Sequence, residues 1–168
     1  MPIISTDIQY RLSGGAANSD PNASLGGAKS SNTVGAGLHN LFDVVGSAEA
    51  ATGDTEYRCV YVHNNHGTLT MQSAKIWISS NTPSTDTSVE IALGSSAVNG
   101  TETSVANENT APSGPTFSAP ASEGAALSIG DIPAGQHKAV WIKRIINTGA
   151  AAYNNDTATL TVKCDTAA

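Results

Sequence analysis

Two strictly alternating runs constrain this chain more than anything else in it: residues 56–64, EYRCVYVHN, and residues 136–146, QHKAVWIKRII. In the first, Tyr57, Cys59, Tyr61 and His63 fall on one side, and Arg58, Val60 and Val62 on the other. In the second, Val140, Ile142, Arg144 and Ile146 alternate with Ala139, Trp141 and Lys143. A period of two carried by β-branched and aromatic residues places side chains on the two faces of a strand. A helix, repeating every ~3.6 residues, would scatter them around its surface.

Shorter runs repeat the pattern. Residues 3–12 read as a strand or an extended arm, and 88–93 alternate through Val89, Ile91 and Leu93. Residues 127–132 are a short strand before the Pro133-Ala134-Gly135 turn. Ala158, Leu160, Val162 and Cys164 are in phase near the end of the chain. In residues 68–79, Ala74, Ile76 and Ile78 share one phase while Leu69 and Met71 hold the other, which predicts a bulge or a break. Residues 38–45, LHNLFDVV, are apolar but too short to distinguish strand from helical turn. Between these runs lie two long Gly/Ser/Asn-rich stretches, 13–37 and 94–124.

Short alternating strands separated by turn clusters, with no convincing helix, predict an all-β fold: an antiparallel β-sandwich, Ig-like or jelly roll, with an extended N-terminal arm. The expected division is an N-terminal strand and Gly/Ser-rich arm over 1–55 and the sandwich over 56–168, or one domain overall. The expected scaffold is Val60, Val62, Ile76, Ile78, Ile91, Val140, Ile142, Leu160 and Val162.

Composition narrows function. Only 13% of the 168 residues are charged, about half the usual ~25%. Ser and Thr together number 37 and Ala 25, so the surface is small, neutral and hydrogen-bonding. With 8 basic residues and a net charge of −6, no electrostatic footprint for nucleic acid is expected. No apolar run approaches the ~20 residues of a membrane helix. The first residues lack a basic stretch followed by an apolar one, so no secretory leader is expected.

Chemistry-bearing patterns are sparse. There is no Gly-x-Ser-x-Gly elbow, phosphate loop, Gly-x-Gly-x-x-Gly or His-Glu-x-x-His. His63 and His66 are the one close histidine pair, and no third ligand lies near them in sequence. Asp43, Glu49, Asp54 and Glu56 cluster loosely, as do Glu102 and Glu108; solvated turn residues are the leading reading, with a paired-carboxylate site or a calcium held by loop oxygens as the minor alternatives. Cys59 and Cys164 sit in phase with apolar residues and read as buried free thiols rather than a disulfide. Trp77 and Trp141 lie within apolar strands, which favours core or interface over a sugar platform. No catalytic residue, cofactor or metal is expected.

Several segments are similar to small virion structural proteins of tailed bacteriophages. The most specific are Gly-Asp-x-x-Tyr-Arg-Cys at 53–59 and Ile-Pro-Ala-Gly-Gln at 132–136; stretches at 7–27, 38–64, 75–84, 105–120, 127–144 and 151–162 extend the likeness over most of the chain. The resemblance implies a non-enzymatic virion protein, foremost a capsid decoration or cement protein that bridges shell subunits. A tail, neck or head-fibre component that binds the host surface or carbohydrate is the alternative. It further implies a homo-oligomer whose partner is the major capsid protein or another virion protein, located in the virion, with no nucleic acid or membrane. Contacts are expected from the 8–38 arm and the 99–120 loop, through Ile8, Tyr10, Leu12, Leu25, Val34, Leu38, Val105 and Phe117.

Overall fold

A computed structural model describes residues 2–166. Its strands are β1 (Ile8–Leu12), β2 (Asp54–Asn64), β3 (Met71–Ser80), β4 (Thr87–Leu93), β5 (Leu127–Ile132), β6 (His137–Ile146) and β7 (Thr159–Thr166). They form two antiparallel sheets, ordered β1-β2-β6-β4 and β5-β3-β7. The expected antiparallel sandwich is therefore present. The second strand pairs with the sixth, whereas an immunoglobulin constant-type sheet pairs it with the fifth.

The two dominant runs of the sequence are central neighbours, paired from Asp54↔Ile146 to His63↔His137. Val60, Val62, Val140 and Ile142 point from this sheet into the space between the layers. Met71, Ala74, Ile76, Ile78, Ile129 and Ile132 meet them from the other sheet, with Leu160, Val162 and Cys164 half-buried at the margin. Every expected scaffold residue lies in or against this core. The phase slip in β3 is a bulge: its register shifts on both sides of Ala74, and Ser73 takes φ of 49°.

The patch at 38–45 forms neither strand nor helix. It leads into α1 (Ser47–Thr52), a six-residue helix that sequence reading missed. The Glu49 carboxylate reaches back to the Gly46 N–H at 2.6 Å and caps its first turn. Gly53 ends it at φ of 77°, where a Cβ would press on the Ile146 carbonyl and the Thr148 amide, both at 3.0 Å.

The extended N-terminal arm is not seen. β1 lies in the sheet against β2, from Ile8↔Asn64 to Leu12↔Val60, and the chain then turns back over that sheet's outer face. Because β1 stops opposite Val60, the first half of β2 has no strand beside it there. Loop carbonyls supply the missing acceptors: Ser24 O for the Cys59 N–H and Glu108 O for the Tyr57 N–H, each at 2.7 Å. The two Gly/Ser-rich stretches also bind one another, Gly27 N–H to Glu102 O and Val105 N–H to Leu25 O, both at 2.9 Å. Beneath them Tyr57, Cys59, Tyr61, Ala139 and Trp141 form a second core, with Val105 and Phe117 packed onto it. From Glu56 to Asn64, β2 is consequently buried on both faces.

Candidate functional site

At one end of the sandwich the layers part around a groove of about 1220 Å³. Segments 33–51 and 149–160 wall it, and the buried side chains of Val60, Val89 and Ile142 lie beneath it. Its rim carries three of the four exposed large apolar side chains among the described residues: Leu38 (53% exposed), Val44 (67%) and Tyr153 (53%). The fourth, Ile4, lies elsewhere.

The wall at 38–46 is fastened by charge rather than by backbone pairing. Arg144, on β6, donates to the Asp43 carbonyl at 2.7 Å, to Asp43 Oδ1 at 3.3 Å and, through Nε, to Glu56. Its guanidinium lies 4.9 Å from the centroid of the Phe42 ring, and that of Arg58 lies 5.3 Å from it. Arg58, fully buried on β2, donates to Glu108, to Asn22 Oδ1 at 2.9 Å and to its own neighbour's carbonyl, Tyr57 O, at 3.2 Å. Burial pushes the Glu56 carboxyl above its ordinary range, while Arg144 pulls against that shift. The ion pairs place Phe42 against the inner core and leave Leu38 and Val44 outside it.

The loose acidic cluster of the sequence is brought together in part. Asp43, Glu56 and Glu108 lie within reach of one another, as do Glu49, Asp54 and Glu56. Each is already engaged: Asp43 and Glu56 accept from Arg144, Glu108 from Arg58, Glu49 from the Gly46 amide, and Asp54 from Asn109 Nδ2 at 2.7 Å. They act as supports for the loops.

The histidine pair is split. His66 Nδ1 accepts the Thr68 and Leu69 amides at 3.1 and 2.9 Å and closes its turn. His63 lies buried across from His137, ring centroids 6.5 Å apart. Cys59 and Cys164 are both free. Cys59 is enclosed in the outer cluster and Cys164 packs against the inner core, so the two thiols belong to different layers. Burial pushes both thiols above their ordinary range. Trp141 is fully buried and Trp77 half-buried.

The eight expected contact residues are dispersed. Leu12 is inside the inner core, and Ile8, Tyr10 and Val34 pack against it. Leu25 is half-buried in the loop pairing, and Val105 and Phe117 cover the outer cluster. Leu38 alone of the eight is exposed, on the groove rim. Sequence reading missed Val44 and Tyr153. Their signal was an apolar residue set in a stretch without period: Val44 in FDVV, and Tyr153 between AAA and NND. Compared with protein-family models, curated proteins and solved structures, the chain finds no match.

Proposed function

We propose that this chain is a non-enzymatic structural protein of a tailed-phage virion, a decoration or cement protein that bridges neighbouring subunits of the shell. The observation that carries the reading is the groove, whose rim holds Leu38, Val44 and Tyr153 in solvent. Apolar side chains gathered at one exposed place mark a contact surface. The occupant is an extended segment of the major capsid protein, its apolar side chains against Leu38, Val44 and Tyr153. A charged fraction of 13% keeps the desolvation cost of such a contact low.

The test mixes the purified protein with emptied phage heads, tails and host cells. Binding to heads at a regular stoichiometry, with a rise in their heat resistance, is the expected result. The double change Leu38→Ser, Tyr153→Ser weakens that binding and leaves the unfolding midpoint of the free protein in place. Heads that neither bind the protein nor gain heat resistance overturn the proposal. The exposed ring of Tyr153, followed by Asn154, Asn155 and Asp156, favours a second reading: a tail, neck or head-fibre component that grips host carbohydrate. Binding to tails or to cells alone selects it.

A further inference from the structure

Four strands form the outer edges of the two sheets, and three of these edges are closed or broken. Residues 30–34 cover β1, with Leu12 N–H on Asn32 O at 3.0 Å and Val34 N–H on Tyr10 O at 2.9 Å. On β4, Ile91 and Ser118 exchange backbone bonds of 2.8 and 3.0 Å. The Asn81 side chain clamps Val89 there in the same way, at 2.9 and 3.0 Å. β5 pairs irregularly, with two register shifts and Gly130 at φ of 84°, and irregular edges resist strand addition.

β7 is different. The register shifts against it come from extra residues in β3, so its own eight residues run unbroken. Ile78 donates its N–H away from β7, to Pro120 O at 2.8 Å. Its partner Leu160 therefore turns its backbone groups outward, where the Tyr10 hydroxyl donates to the Leu160 carbonyl at 3.3 Å. Alternation turns Val162, Cys164 and Thr166 outward as well. Among the described residues, nothing hydrogen-bonds to the outward groups of these three.

We propose that this edge joins two copies of the chain, β7 against β7 in antiparallel order about a two-fold axis, into one sheet ordered β5-β3-β7-β7-β3-β5. A two-fold axis at Cys164 matches the outward groups of Val162, Cys164 and Thr166 with those of the partner. Val162 then pairs with the partner's Thr166, and Cys164 faces the partner's Cys164. Lys163 comes opposite the partner's Asp165, twice over, at positions where cross-strand side chains approach most closely. Both side chains are exposed, and Glu123 holds Lys163 on the outer face at 2.9 Å. Registers centred on residue 163 or 165 set like charges face to face. One centred on 162 needs the Leu160 carbonyl, which Tyr10 already occupies. Charge pattern and the Tyr10 contact thus favour the register about Cys164. The proposal holds whether or not the protein belongs to a virion.

Sedimentation equilibrium of the intact protein tests it. The wild type is expected to dimerise reversibly. Lys163→Asp weakens the dimer by about tenfold or more, and adding Asp165→Lys restores it. Thermal unfolding of each variant separates this from damage to the protomer, since Lys163 also pairs with Glu123. A short bis-maleimide should join two Cys164 thiols, identified by peptide mass spectrometry, while Cys59 stays unmodified. A monomer at high micromolar concentration overturns the proposal. So does a dimer indifferent to both charge changes in which Cys164 does not cross-link.

Discussion

Glu102 is 3% exposed and has no basic partner among the described residues. Backbone donors meet its charge instead: the Ser95 and Ser96 amides, at 3.2 and 2.9 Å. Burial pushes this carboxyl up, but the hydrogen bonds from Ser96 and Ser95 outweigh it and hold the group below the usual carboxylate range. His63 shifts for a related reason. Burial first, and then Lys29, Arg11 and His137, push it down to about 4, and His137 is lowered too. Both groups link stability to acid, in successive windows. As pH falls from ~6.5, the unfolded chain takes protons that folded His63 refuses, so stability declines until about pH 4. Below the ordinary Glu value of ~4.3, the unfolded chain also protonates Glu102 before the folded one does, and the decline continues. Urea unfolding across this range should show His63→Asn flattening the upper window and Glu102→Gln the lower. At neutral pH, Glu102→Gln should also cost about 1–3 kcal/mol, because its amide nitrogen cannot accept from the serine amides. Gly94→Ala should destabilise by another route, since a Cβ there would run into Glu102 Oε2 and would lie 2.6 Å from the Ala139 Cβ.

At the scale of elements, the strands were legible and their covering was not. Alternation in 56–64 and 136–146 located β2 and β6, and the phase slip located the β3 bulge, because side-chain period reports which face is buried. The Gly/Ser-rich stretches have no period to read. They hold the sheet through single backbone bonds such as Ser24 O to the Cys59 N–H, which any residue type can make. A signal was nevertheless present: the face of β2 opposite the inner core carries Tyr57, Cys59 and Tyr61 instead of charged residues, so something had to cover it. The groove was less legible still, since Leu38, Val44 and Tyr153 meet only through the loops that carry them. Two expected outcomes belong to this scale. Ile76→Ala should cost about 2–5 kcal/mol of unfolding free energy, as it empties space between fully buried neighbours. Phe117→Ala removes a ring 5.4 Å from Tyr57 and loosens the outer cover. Cys59 should then react with a thiol reagent in the folded protein, where the wild-type thiol does not.

For the whole molecule, the division of surfaces is the instructive feature. One face of the four-stranded sheet is sealed by the chain's own loops, while the groove and the β7 edge are left open. These open features suit contacts of different kinds, side chains received in the groove and main chain added at the edge. The central β2–β6 pairing has a further consequence, in time rather than space. Asp54–Asn64 leaves the ribosome long before its partner His137–Ile146, and until then β2 has only β1 beside it. The sheet therefore cannot close until β6 has been made. Such non-local pairing is slow, on the order of milliseconds to seconds. A nascent chain must carry its most deeply buried strand without its main partner over that interval. The loops that cover that strand in the folded protein, rich in Gly, Ser and Asn and poor in aggregating β-formers, are all made before β6.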